Sequence, residues 1–401
     1  MKRIHSLFGC ALLAATAANA APQVDVIASG LVNPRGLAFA PDGKLYVAEA
    51  GKGGNGTCIV AGEGPSCYGQ TGAVARIDGT GEKNIVRVLR GLPSLAPAGG
   101  FGATGPQGIS FGASSTGKVA LGLGTNPAAR DGVGERSALF GRVLLVRPFG
   151  IVQPTVVPLK EKSAAVVLQA AGDGAGEKAY ADIAGFEAVN DPVPGGVDSN
   201  PTGMLALGTH DVVADAGGNT LLHVDQDGVV SVLAEFATRE VPAPPFLGLP
   251  PGATIPMQAV PTSVAEGPDG WLYVGQLTGF PFPVGEAKVY RVPPQGGTPE
   301  VFASGFTNII GLAFDAQQRL YVLQIGNGLS AAEGPPLASP GRLIRVNADG
   351  SKTIIYENLY YPGGLAIGPD GAAYVTNNGI VPGPVPGAFP EGGQVLRIAL
   401  E

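Results

Sequence analysis

One short phrase, repeated along the chain, constrains the fold more than any other feature. Asn33-Pro34-Arg35-Gly36-Leu37-Ala38-Phe39-Ala40-Pro41-Asp42-Gly43-Lys44-Leu45-Tyr46-Val47 and Pro261-Thr262-Ser263-Val264-Ala265-Glu266-Gly267-Pro268-Asp269-Gly270-Trp271-Leu272-Tyr273-Val274 are the same unit. Pro362-Gly363-Gly364-Leu365-Ala366-Ile367-Gly368-Pro369-Asp370-Gly371 with Ala373-Tyr374-Val375 is a third copy, and Gly311-Leu312-Ala313-Phe314-Asp315 with Leu320-Tyr321-Val322 a fourth. Weaker copies begin at Gly105-Pro106-Gln107-Gly108 and Asn200-Pro201-Thr202-Gly203. A third short apolar run and a tight turn follow in most units, as in Leu221-Leu222-His223-Val224-Asp225-Gln226-Asp227-Gly228, and a fourth run follows that. Four antiparallel strands per unit and six units predict an all-β, six-bladed β-propeller. Its blades start near residues 33, 105, 200, 261, 308 and 361.

The sixth unit stops after its third strand. The segment Val24-Asp25-Val26-Ile27-Ala28-Ser29-Gly30-Leu31 matches Glu300-Val301-Phe302-Ala303-Ser304-Gly305-Phe306, a fourth strand elsewhere. Strand 24–31 is therefore expected to complete the last blade and remove the exposed edge at the seam.

Ahead of it, Met1-Lys2-Arg3 and an apolar run of about 15 residues end in Ala18-Asn19-Ala20. This is the pattern of a signal peptide over residues 1–20, cleaved after Ala20, and implies a periplasmic or secreted protein formed by residues 21–401 as one domain. The run falls short of the roughly 20 residues a spanning helix needs, so no membrane span is expected. Losing Lys2 and Arg3 leaves 23 basic against 32 acidic residues, a net charge near −9. Such a surface excludes nucleic acid as a partner, and a monomer is expected. Gly 64 and Pro 36 would suggest disorder in a polar chain, but 45% of residues are hydrophobic and fall in short runs between turns. Of three cysteines, Cys58 and Cys67 remain after the leader. In an oxidising compartment they read as a disulfide, and a zinc site is the weaker alternative because no histidine lies nearby.

The blade motif resembles NHL and SMP-30-like propellers, and over nearly the whole chain the sequence is similar to the ScyD/ScyE family. The phrases carrying this are Asn33-Pro34-Arg35-Gly36-Leu37, Phe101-Gly102-Ala103-Thr104-Gly105-Pro106, Asp198-Ser199-Asn200-Pro201, Ala214-Asp215-Ala216-Gly217-Gly218-Asn219 and Pro261-Thr262-Ser263-Val264. The resemblance implies an exported propeller, with a link to extracytoplasmic metabolite maturation through the family's name.

Strand order assigns loops to faces. If each innermost strand runs from top to bottom, the Pro-Asp-Gly turns lie at the bottom and need no function. The long segments 51–72, 125–138, 160–199, 236–260, 326–341 and 378–393 lie at the top, where loops of this length are usually functional. Residues 179–190 fit a short helix in one of these insertions, expected to cover the channel mouth.

Two rings of residues converge on that face. Just before or at the start of the innermost strands stand Arg35, Gln107, Thr202, Thr262, Ile310 and Gly363, with Asn33, Asn200 and Asn308 close by. Ending the second strands are Glu49, Leu123, Asp215, Gln276, Gln324 and Asn377. Arg35, Gln107, Asn200, Thr262, Asn308, Glu49, Asp215, Gln276, Gln324 and Asn377 are thus the candidate ligand-binding residues. For the second ring the structural reading is the stronger one, since the resemblance to NHL-like blades implies that the matching acidic residue hydrogen-bonds the next loop. The expected function is a module that binds a small molecule or a protein at the top face. The alternative is a metal-dependent hydrolase or lactonase of SMP-30-like type, in which Glu49, Asp215, Asn200 and Asn308 would hold a divalent metal such as calcium. Against it, the Glu-Gly-Pro start that carries a metal-ligating glutamate in that family is replaced here by Asn33-Pro34-Arg35-Gly36. No serine or cysteine has an identifiable histidine base, and only His210 and His223 follow the leader.

Overall fold

The computed structural model describes residues 21–61, 64–79, 84–113, 116–147, 154–155, 167–170, 176–326 and 340–400. The leader 1–20 and most of the segment 326–341 lie outside them. The innermost strands Pro34–Phe39, Pro106–Phe111, Pro201–Ala206, Pro261–Glu266, Ile309–Phe314 and Gly364–Ile367 each open an antiparallel sheet. The six-bladed propeller holds, with one short helix in a top-face insertion.

Blades stack face against face, so a second strand has both faces covered. This is why Leu-Tyr-Val recurs as an unbroken apolar run: Leu45, Tyr46, Val47, Leu272, Tyr273, Val274, Leu320, Tyr321 and Val322 are all buried. The polar tip of the tyrosine needs a partner, and the turn supplies it. Asp269 accepts the Trp271 N–H through Oδ1 at 3.2 Å and the Tyr273 hydroxyl through Oδ2 at 3.1 Å. Asp370 does the same for Ala372 and Tyr374. Gly270 and Gly371, both at φ 76°, complete these turns.

Neighbouring innermost strands approach so closely that the residue after each upper-ring position is glycine in five blades. A Cβ on Gly36 would stand 2.7 Å from the Gln107 carbonyl oxygen, and one on Gly108 would stand 2.3 Å from that of Thr202. A Cβ on Gly364 would stand 2.9 Å from the Arg35 carbonyl oxygen, which carries the contact across the seam.

Val24–Leu31 pairs antiparallel with Gly393–Ile398, from Val24 opposite Ile398 to Leu31 opposite Gly393. Ala28 and Leu31 are fully buried in a cluster with Leu37, Leu45 and Val395. The last blade is therefore built from both ends of the described chain.

Three long top segments are more ordered than their glycine content suggests. Cys58–Ala61 folds back on Gly64–Ile77, placing Cys58 opposite Cys67, and the two form a disulfide. Arg239–Pro242 and Thr254–Met257 form a second hairpin. Within 160–199, Gly176–Asp182 is the fourth strand of blade 2, paired with Arg142–Arg147. It has no valine or isoleucine run, and the side chains it buries are the small Ala179 and Ala181.

Two outcomes test this account. Ala28→Asp should collapse the melting transition and drive aggregation in size-exclusion chromatography, whereas Val26→Asp, on the exposed side of the same strand, should leave both nearly unchanged. Gly108→Ala should cost about 1–3 kcal/mol in denaturant unfolding, because the obstacle is backbone.

Candidate functional site

The central channel widens into a cavity of about 300 Å³ lined by all six innermost strands. Arg35, Gln107, Thr202, Thr262, Ile310 and Gly363 all line it. Its collar is polar over blades 1 to 4 and apolar over blades 5 and 6. Deeper in, Leu37, Ile109, Met204, Val264, Leu312 and Leu365 make an apolar shaft.

Arg35 distinguishes this collar. Its Nη2 donates to the Ala103 carbonyl at 2.7 Å, while its Nε is buried with no hydrogen-bond partner. No carboxylate pairs with it among the described residues. Burial alone lowers its pKa to about 10, so the guanidinium stays charged at neutral pH. Gln107 packs over Gly122 beside Asn200, and none of the hydrogen bonds among the described residues uses its side-chain amide. The Thr262 hydroxyl donates to the Ile309 carbonyl at 2.7 Å, which ties its oxygen to the next blade.

The second ring is placed differently, and none of it lines the cavity. Glu49 is fully buried and accepts the Val32 N–H at 2.9 Å, while Arg87 grips it in a fork at 2.7 and 2.8 Å. Asp215, also fully buried, accepts the N–H groups of Asn200, Gly217 and Gly218 and the Ser199 hydroxyl. Gln324 accepts the Thr307 N–H at 3.2 Å and Asn377 the Tyr360 N–H at 2.7 Å. In four blades the residue ending the second strand thus fastens the backbone entering the innermost strand. Gln276 stands in the same place but its buried Oε1 has no partner. Asn308, in the left-handed region at φ 53°, donates to the Gly326 carbonyl, and Asn200 accepts the Leu123 N–H. Of the ten sequence-predicted site residues, the fold brings Arg35, Gln107 and Thr262 to the cavity wall.

Glu49, Asp215, Asn200 and Asn308 do not fit a channel metal. Each is engaged within its own blade or with its neighbour, and Glu49 is neutralised by Arg87. Among the described residues no three carboxylate, histidine or cysteine side chains stand at metal-holding spacing. His210 and His223 stack at 4.7 Å away from the cavity.

Of the expected helix 179–190, Ile183–Asn190 is helical while residues 179–182 end the preceding strand, and none of the helix's residues lines the cavity. It packs against Pro127–Arg130 and Arg142–Arg147 of blade 2, with Ile183 and Ala184 fully buried. Its N-terminal cap explains this seat. Asp182 accepts the Gly185 N–H at 2.9 Å and is held by Arg130 at 2.8 Å and Arg142 at 2.7 Å. These contacts keep the Asp182 carboxylate below its usual range against the opposing effect of burial.

At the other end of the helix the balance is reversed, which sequence spacing did not reveal. Glu187 is buried beside Asp215, Asp191 and Asp198, and burial followed by these charges pushes its carboxyl up to about 8. Asp215 rises to about 6, chiefly through burial.

No family model matches this sequence, and no curated protein matches it. Solved structures do resemble it. Virginiamycin B lyase from Staphylococcus aureus shares 11% identity, over 95% of this chain and 100% of that one, with a TM-score of 0.44. A calcium-binding protein, regucalcin, from Agrobacterium tumefaciens shares 13% identity, over 94% and 95%, with a TM-score of 0.44. A Bacteroides thetaiotaomicron protein of unknown function shares 10% identity, over 94% of this chain and 76% of that one, with a TM-score of 0.47. At this distance none of the three carries any argument about chemistry here.

Proposed function

We propose that this chain is an exported propeller of the ScyD/ScyE type that binds a small molecule in the mouth of its central channel, in the service of extracytoplasmic metabolite maturation. The observation that carries the reading is Arg35, a charged guanidinium at the cavity wall without a carboxylate partner. A desolvated guanidinium without a carboxylate partner favours a carboxylate or a strongly polarised carbonyl. The apolar shaft below favours an aromatic or aliphatic body on the same ligand. Gln107 offers an uncommitted donor and acceptor at the collar, and Thr262 a hydroxyl oxygen. Export rests on the leader pattern. The Cys58–Cys67 disulfide agrees with it, and no helix among the described residues is long and apolar enough to cross a membrane.

The test is a thermal-shift titration with indole-3-acetate and its neutral amide, over wild type, Arg35→Ala and Arg35→Lys. The acid should raise the wild-type melting temperature more than the amide does. Arg35→Ala should fold normally and lose that difference, and Arg35→Lys should keep part of it. Equal responses in wild type and Arg35→Ala would remove the anchor from the proposal. Arg87→Ala provides the contrast. It should cost about 3 kcal/mol in denaturant unfolding by stranding the buried Glu49, yet leave ligand affinity unchanged in the folded protein.

A further inference from the structure

Away from the channel, the C-terminal end of the helix Ile183–Asn190 meets blade 3 at a cluster of four carboxyl groups. Glu187, on the last turns of the helix, is 2% exposed, and Asp215, ending a blade 3 strand, is 0% exposed. Both carboxylates crowd the backbone of Gly218: a Cβ built there would stand 2.8 Å from Glu187 Oε2 and 3.3 Å from Asp215 Oδ2. Asp191 at the helix C-cap and Asp198 in the loop that follows are close enough to act electrostatically on Glu187.

Three oxygens in this pocket, Glu187 Oε1, Asp191 Oδ1 and Asp198 Oδ1, are buried without any hydrogen-bond partner. Orphaned buried oxygens are costly, and carboxylate oxygens more so than others. No lysine, arginine or histidine is paired with any of the four acids among the described residues. The contrast with the other end of the same helix, where Arg130 and Arg142 neutralise Asp182, makes the missing positive charge specific to this place.

We propose that this pocket takes a hard divalent cation of calcium's size, held by Glu187 and Asp215 with Asp191 and Asp198 drawn in, which fastens the C-terminal end of the helix to blade 3. Oxygen-only ligands and several carboxylates suit calcium, which accepts six to eight oxygens in irregular geometry, better than magnesium, which demands a near-ideal octahedron. The four side chains do not now stand at metal-holding spacing. A cation seated against Glu187 and Asp215 would draw the other two carboxylates toward it. Asp191 and Asp198 can follow, since the turn joining them carries Gly195 and Gly196, the latter at φ 106° with open space around it. None of the four acids lines the channel cavity, so this site stands or falls apart from Arg35.

Protein stripped with a chelator and titrated with calcium chloride at constant ionic strength should show saturable binding by isothermal titration calorimetry. Its melting temperature should rise by roughly 5 °C once calcium exceeds its Kd about a hundredfold. Magnesium should bind at least tenfold more weakly. Glu187→Gln keeps the shape of the pocket and should weaken calcium at least tenfold, as should Asp198→Asn, with circular dichroism and the chelated melting temperature establishing that each variant is folded. If wild type shows no saturable calcium binding, or if both folded variants bind it as wild type does, the proposal is wrong.

Discussion

The arrangement depends first on how closely the six innermost strands approach around the channel. A glycine follows the upper-ring position in five blades because the carbonyl of the next blade's ring residue, or a close-packed neighbour, occupies the space a side chain would need. That contact fixes the distance between blades, and with it the backbone position of Arg35, Gln107, Thr202 and Thr262. Evolution of this face is therefore free in one dimension only. The ring side chains can change, whereas the strands carrying them cannot move apart without losing close packing on either side.

A division of labour among polar residues follows. In four blades the residue ending the second strand is buried and satisfies a backbone N–H group that would otherwise be stranded where the chain enters the blade. The ring around the cavity is under no such obligation. Arg35 and Gln107 retain unused donors there, and unused capacity in a concave, partly apolar setting is what distinguishes a binding surface from a structural one. Both rings are polar and both sit near the same face, yet only the upper one lines the cavity.

Much of this was legible in the chain, and the rest was illegible for identifiable reasons. The Leu-Tyr-Val runs and Pro-Asp-Gly turns announce the blades because burial on both faces and a left-handed turn leave few residue types eligible. The match of residues 24–31 to a fourth strand announces the closure. The upper ring could be found because it has a fixed place in the repeat, one residue before the close-packed glycine. Blade 2's fourth strand, Gly176–Asp182, could not, since it buries only the small Ala179 and Ala181 and its residues carry no strand signature. The partners of Glu49, Asp215, Gln324 and Asn377 are backbone N–H groups 15 to 17 residues earlier, which every residue type except proline supplies. Glu187, Asp191 and Asp198 gave no motif because they come from a helix, its cap and a turn, and meet Asp215 only through the fold.

The strand Val24–Leu31 reaches its partner Gly393–Ile398 across nearly the full length of the chain. In the time domain this makes the first described strand among the last to be placed. Each of the other five blades can assemble from one continuous stretch, but the sixth demands the closure of a very long loop, whose entropic cost is met only when the whole ring is present. Until then the chain is an open arc with an unpaired edge at Gly393–Ile398, vulnerable to pairing with another copy. Keeping the chain unfolded until its far end has arrived, as passage through a membrane translocon would do, spares it that intermediate. The closure and the proposed export would then be two aspects of one folding problem.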